Sequence, residues 1–296
     1  MDHVPSQLQF DDDGMIRAYF SLIKPRIILG NLITAAAGFA WASKGHFDLA
    51  LFFLLLLGLS FVIGSAAAIN NWVDKEIDAK MERTKKRPLV TGKILPKHAF
   101  FFASFLGFFG FLILALFTNK IATLFALCGH LVYIAMYTPL KHRMSHATLV
   151  GSIAGAMPPI VGYTAVSGTM NLEALSLFLL LALWQMPHFY SLALYRCEEY
   201  RAASIPVLPV IRGNATTKLH TFSYVILFGG VSFLPSFLGN TGTLYWVVAL
   251  SVSALWLYLS SKGFWTKDDA KWGKMMFRFS LVAILSLMLA LSVGGR

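Results

Sequence analysis

Asn70, Asp74 and Asp78 are spaced by four in the stretch NNWVDKEIDAKMERTKKRPL, residues 70–89. At ~100° per residue their directions drift by only ~80° over two helical turns, so one helix face can carry an amide oxygen and two carboxylates. An oxygen-only set of this kind suits Mg2+, which favours carboxylates, keeps several waters and bridges to phosphate oxygens. Arg83, Lys85, Lys86 and Arg87 follow within nine residues of Asp78 and supply donors for phosphate oxygens that a metal leaves free. The bland account of the same residues is a solvated helix end followed by an ordinary basic loop. Position favours a site: about twenty nearly uncharged residues precede Asn70, and ionisable groups at the end of such a segment usually face a cavity or a partner.

The elements that must position these groups are membrane helices. The 296 residues are 57% hydrophobic and 13% charged with a mean hydropathy of +0.65, outside the range of soluble domains. Nine apolar stretches are long enough to cross ~30 Å of hydrocarbon, near 24–42, 49–69, 98–117, 121–138, 147–166, 172–193, 218–238, 243–261 and 275–293. Lipid offers no partner to an open sheet edge, and barrel-like alternation is absent from the sequence. The expected fold class is therefore all-α, a polytopic bundle of nine transmembrane helices. The opening MDHVPSQLQFDDDG is acidic and polar, so the pattern of a cleavable signal is not met and residues to about 17 read as a polar tail. Cys128 lies in a span and Cys197 in a basic loop, neither in a Cys-x-x-Cys pair, which disfavours disulfide and zinc-thiolate readings.

Of the 25 lysines and arginines, 22 fall on the side of the amino terminus, with only Lys44, Lys120 and Arg296 opposite. The positive-inside rule then places the amino terminus and the loops at 70–97, 139–146, 194–217 and 262–274 in the cytoplasm, and the carboxyl terminus on the far side. The net charge of +11 follows from this topology and gives no support to a nucleic-acid partner. The lipid bilayer is the expected surroundings, and anionic headgroups are the preferred partners of Lys85, Lys86 and Lys93. No linker divides the chain, so residues 1–296 read as one transmembrane domain. The loops after spans two and six echo one another, each with acids at a helix end followed by Arg and Pro. Small residues in GSAAAIN (64–70) and GSIAGAMPPIVGY (151–163) allow close helix approach, with a break or kink at Pro158 and Pro159. FFFASFLGFFGF (100–111) suits a lipid-facing surface. A transporter with a polar midplane site is a rival of a different class, opposed by the clustering of acids and cations at one face.

The 70–89 stretch resembles the N-x-x-x-D-x-x-x-D motif of the UbiA-type intramembrane prenyltransferases, which use magnesium to bind an isoprenyl diphosphate and transfer its prenyl chain. LIKPRIILGNL (22–32), YTPLKHRMSHATLVGSIAGAMPPIVGY (137–163) and WQMPHFYSLALYRCEEYRAASIPVLPV (184–210) resemble the haem-directed branch of that family, the haem O synthases, and the likeness covers nearly the whole chain. It implies a UbiA-like helical bundle in a bacterial-type inner membrane, with farnesyl diphosphate and haem B as substrates. Mg2+ would be held by Asn70, Asp74 and Asp78. A haem vinyl carbon would add to farnesyl C1 and water would capture the resulting cation, without a redox cofactor. Arg83 and Arg87 are the first choices for diphosphate contact, Lys141 and Arg143 the second, with Arg26 a further cation on the same side. After span six, where quinone-directed members carry a second aspartate-rich motif, this chain has His188, Tyr195, Glu198 and Glu199. That departure favours the haem branch over a quinone-type aromatic prenyltransferase, the near rival, and makes a second magnesium doubtful. His188, ahead of His130, is the candidate for the haem iron, and Arg196, Arg201 and Arg212 for the propionates. His142 and His146, four apart in a polar loop, lack the further ligands of a zinc site. The recipient of the product would be a terminal oxidase or its assembly machinery.

Overall fold

The computed structural model describes residues 12–238 and 241–294, and the regular secondary structure among them is entirely helical. In chain order the elements are α1 (Asp12–Leu22), α2 (Pro25–Ser43), α3 (Leu49–Val73), α4 (Lys75–Asp78), α5 (Pro96–Phe117) and α6 (Lys120–Leu131). A π-helical turn (Val132–Tyr137) joins α6 to α7 (Thr138–Leu140), and then come α8 (Ala147–Gly155), α9 (Met157–Ser167), α10 (Leu172–Tyr195) and α11 (Cys197–Ala202). The last four are α12 (Leu208–Val231), α13 (Leu234–Phe237), α14 (Thr243–Ser261) and α15 (Asp269–Gly294). Among the described residues these make nine spans long and apolar enough to cross a membrane, so the chain is a multi-pass membrane protein.

Local chemistry sets the helix ends. Asp48, Asn119 and Asn171 cap α3, α6 and α10, each accepting from a backbone N–H three residues on at 2.9–3.0 Å. Asn119 also donates to the Thr164 and Ala165 carbonyls at 2.7 and 3.1 Å, tying its turn to the end of α9. Span five breaks between Gly155 and Met157, where Pro158 and Pro159 open the second half, as the proline pair predicts. Pro139 lacks an N–H and crowds the carbonyl four residues back, and the wider π turn directly before it accommodates this.

Two boundaries differ from the sequence expectation. The seventh span begins at Leu208 rather than near 218, because the polar segment with Arg212 and Asn214 is helical too, with a kink at Gly213 (φ 80°). The polar tail expected to about residue 17 becomes helical at Asp12, and residues 1–11 lie outside the described part. Helix α1 buries Ala18 and Leu22 against Ala68, Leu89 and Ala99 while Ile16 and Phe20 stay exposed, the division of a helix lying in a membrane interface. Phe101, Phe105 and Phe108 are exposed on α5, so the phenylalanine run does face outward.

Two packed centres hold the bundle. One gathers Trp41, Tyr163, Phe228, Tyr245, Trp256 and Trp272 from five spans, and the other joins Phe39, Leu55, Leu59 and Leu114. Between them α2 meets α9 at backbone distance. A Cβ on Gly162 would lie 1.9 Å from the Ala35 carbonyl oxygen, and one on Gly38 2.1 Å from that of Pro159, so only glycine fits at either position.

Candidate active site

Helix α3 delivers the acidic stripe to one end of the bundle. The Asp74 N–H bonds the Asn70 carbonyl at 3.0 Å and the Asp78 N–H bonds the Asp74 carbonyl at 2.8 Å, so helical register continues through α4 and the three side chains keep the single face that their spacing predicts. All three are buried, at 2, 6 and 5% exposure. Burial of two carboxylates is tenable only with partners, which come from a distant segment for Asp74 and from the following loop for Asp78. Lys141 pairs with one oxygen of Asp74, and His142 Nε2 lies 2.9 Å from the other. Arg87 pairs with Asp78 and donates at 2.9 Å to the Asn71 amide oxygen. Lys24 donates at 2.6 Å to the Asn70 amide oxygen, whose own NH2 reaches Thr138 at 3.2 Å.

The electrostatics follow from this crowding. Burial pushes the Asp74 carboxyl up, but the His142 hydrogen bond and the Lys141 charge outweigh it and hold the group below its ordinary value. Burial pushes the Lys24 ammonium down to about 7, helped by Arg87 and Lys141 and opposed by Asp74 and Asp78. Lys141 is also lowered by burial, against the pull of Asp74.

These groups line a cavity of about 290 Å³. Its lining includes the cations Lys24, Arg83, Arg87 and Lys141, the carboxylates of Asp74 and Asp78, and the rings of Tyr133, Tyr137, Phe189 and Tyr190. The arrangement favours an anion of more than one charge. Its oxygen donors also fit Mg2+: two carboxylates and an amide leave room for waters and phosphate oxygens. Among the described residues no group of three or more His, Cys, Asp or Glu side chains is placed to hold a metal.

Asn70, Asp74, Asp78, Arg83, Arg87 and Lys141 therefore come together, joined by His142, whereas the other residues given a site role from sequence lie outside the cavity lining. Arg26 and Arg143 are exposed. The His188 ring stacks on Trp184 at 4.6 Å and Phe277 at 4.7 Å, and its Nδ1 is 2.7 Å from the Ser280 hydroxyl. Tyr195 lies under the cations of Arg196 and Lys274. Glu198 pairs with Arg201, and Glu199 with Arg196 at 2.6 Å and Arg83 at 3.8 Å. Sequence reasoning gave no site role to Lys24, Asn71, Tyr133, Tyr137 or Tyr200, and left His142 as a loop residue. His142 did stand beside Lys141, and Tyr137 one helical turn before it, which is the signal that could have drawn attention to them.

The family model of the UbiA prenyltransferases matches residues 31–282. The chain is 44% identical over 277 residues to the protoheme IX farnesyltransferase of Protochlamydia amoebophila, covering 94% of this chain and 98% of that protein. It is 43% identical over 280 residues to protoheme IX farnesyltransferase 1 of Shewanella frigidimarina, covering 94 and 92%. Among solved structures, a digeranylgeranylglyceryl phosphate synthase superposes with a TM-score of 0.80 at 21% identity, covering 95% of this chain and 98% of the other. A UbiA homologue of Archaeoglobus fulgidus bound to DMAPP and Mg2+ gives 0.68 at 16% identity, covering 90 and 98%. The motif, the bundle that buries it and these matches agree, and the chain belongs to the UbiA prenyltransferase family.

Proposed function

We propose that this protein is a protohaem IX farnesyltransferase, which moves the farnesyl group of farnesyl diphosphate to a vinyl group of haem B and, with addition of water, yields haem O and diphosphate. The observation that carries the reading is the 44% identity, over 94% of the chain, to a relative of that name. The cavity supports it, because its lining combines cations with aromatic rings, as an ionic leaving group joined to an apolar chain requires.

In this reading residues 1–296 act as one transmembrane unit in a bacterial-type inner membrane, with the basic face cytoplasmic. Arg83, Arg87 and Lys141 donate to diphosphate oxygens, exchanging part of their present carboxylate contacts for the substrate. Asp74 and Asp78, with the Asn70 amide oxygen, would hold Mg2+, whose charge when bound offsets that of the departing diphosphate. Positive groups fixed in place before reaction, in a site poor in water, lower the barrier without reorganising. Tyr133 and Tyr137 turn ring faces to the allylic carbon as it loses its bond to oxygen, and keep bulk water from it. We assign the apolar body of the haem to Phe189 and Tyr190, which line the same cavity. The vinyl electrons form the new bond to farnesyl C1, and the cation left on the haem side takes up water and releases a proton. The product passes to a haem-receiving terminal oxidase or its assembly machinery.

The test is mass spectrometry of haems extracted from cells with and without the protein, paired with purified protein, Mg2+ and radiolabelled farnesyl diphosphate. A farnesylated, hydroxylated haem that depends on the protein is expected. Label appearing in 4-hydroxybenzoate and not in haem would reject the haem assignment, and uptake into vesicles without any product would reject transfer altogether.

A further inference from the structure

We propose that an apolar furrow between α1, α2, α3 and α5 is a binding site for one acyl chain of an anionic phospholipid, whose headgroup rests at Arg17 and Arg26. The furrow has a volume of about 310 Å³ and shares no lining residue with the active-site cavity. Four helices contribute to it, with Phe20 from α1, Leu29 and Leu32 from α2, Phe61 and Gly64 from α3, and Leu106 from α5. Phe20 and Leu29 are 59 and 61% exposed, so the furrow opens toward lipid. Its one polar side chain, Ser60, spends its hydroxyl on the Leu57 carbonyl at 2.7 Å. Water would find no side-chain partner there, whereas a hydrocarbon chain needs none. Gly64 keeps the space open: a Cβ at this position would already touch Ile23 and Leu106 at 3.4 and 3.5 Å.

Direction and charge select the occupant. Helices α2 and α5 both enter the membrane from the end that carries the basic loops, and the furrow follows them inward. Leu32 lies six residues beyond Arg26 and Leu106 ten beyond Pro96, a descent of about 9 to 15 Å, which is the course of a lipid tail. Arg17 and Arg26 are exposed and stand three residues before Phe20 and Leu29, so each cation shares a helix face with a furrow-lining side chain. Positive groups at the mouth of an all-carbon groove complement a phosphate joined to an acyl chain. The α1 side of the furrow is also fixed in place. The Asn71 amide donates to the Leu22 carbonyl at 2.8 Å and ties the end of α1 to α3. Next to it Lys24 adopts a left-handed conformation (φ 53°), and at this elbow Ile23 and Pro25 line the furrow while Lys24 lines the active-site cavity. The lipid chain therefore packs against the same short backbone segment that borders the active site.

The experiment places the full chain in phosphatidylcholine nanodiscs with a small fraction of phosphatidylglycerol that carries a photoreactive diazirine in its acyl chain, and locates adducts by peptide mass spectrometry. Adducts are expected on the furrow-lining residues, saturating at one per protein and displaced by unlabelled phosphatidylglycerol but not by extra phosphatidylcholine. Ser60→Phe fills the furrow from α3 and Leu32→Trp fills it from α2, and each should abolish these adducts while sparing background labelling at the exposed Phe108 and Leu250. Melting temperature in detergent is the folding control, and two variants on different helices keep the test decisive if one of them is unstable. Arg26→Gln should weaken phosphatidylglycerol competition about fivefold, the effect of one cation at the membrane surface. Labelling spread evenly over the furrow, Phe108 and Leu250 would mean bulk lipid contact only and overturns the site. Unchanged furrow labelling in both filled variants overturns it as well, and equal competition by the two lipids overturns the anionic headgroup.

Discussion

The connections after the second and sixth spans both carry acids at a helix end followed by arginine and proline, yet the structure treats them in opposite ways. Asp74 and Asp78 are buried; Asp74 meets Lys141, 67 residues away, and Asp78 meets Arg87 from the loop that follows it. Glu198 is met by Arg201 and Glu199 by Arg196, each three residues away, with Arg83 at 3.8 Å a looser partner of Glu199 from another loop, and Glu198 is largely exposed. An acid neutralised by its own neighbours is free to face water. An acid whose partners must be brought in from elsewhere draws several segments together and makes a cavity. What distinguishes the site from the more solvated helix end is thus the burial of its acids rather than the residue types.

That contrast can be broken by mutation, and the effects should rank as the burial does. Asp74→Asn or Asp78→Asn, or chelation of divalent ions, should lower farnesyl transfer by about 10² to 10³-fold, read as haem product per protein, with the protein still folded in the membrane. Arg87→Ala leaves Asp78 buried without its partner and should reduce stability by about 3 kcal/mol, measured as a lower melting temperature in detergent, and Arg87→Lys should restore part of it. Glu199→Gln frees the half-exposed Arg83, a contact at 3.8 Å open to solvent screening, so transfer should change by no more than about threefold. Glu198→Gln should alter neither activity nor melting temperature, since its pair with Arg201 is a solvated surface contact. Equal losses from Asp74→Asn and Glu198→Gln would erase the distinction between the two connections.

Hydropathy alone makes nine spans legible, because ~20 apolar residues have few other uses. It fails at Leu208–Thr217, where polar residues continue a helix into the interface, and at α1, whose short apolar face is hidden in a polar tail. Within the site, the stripe at 70, 74 and 78 is legible because helical periodicity is local. Lys24 and His142 are not, since they reach Asn70 and Asp74 across 46 and 68 residues, and only the packing of α2, α3 and α7 brings them there. Tyr133 and Tyr137 look like ordinary lipid-facing aromatics in a span. Arg143 looks equivalent to Lys141 in sequence, but the turn beyond α7 leaves it exposed.

The π-helical turn before Pro139 acts as a phase shifter. Six residues held by i to i+5 bonds accommodate one residue more than the same length of α-helix would, which rotates everything beyond by ~100°. The angular offset falls between an anchored upstream half and the segment that bears Thr138, Lys141 and His142. Removal of a single residue from Val132–Tyr137 would therefore let the turn close to ordinary α-helix with Lys141 still on Asp74, whereas a deletion elsewhere in α6 would swing it away by ~100°, so tolerance to deletion in this span is governed by angle rather than by reach.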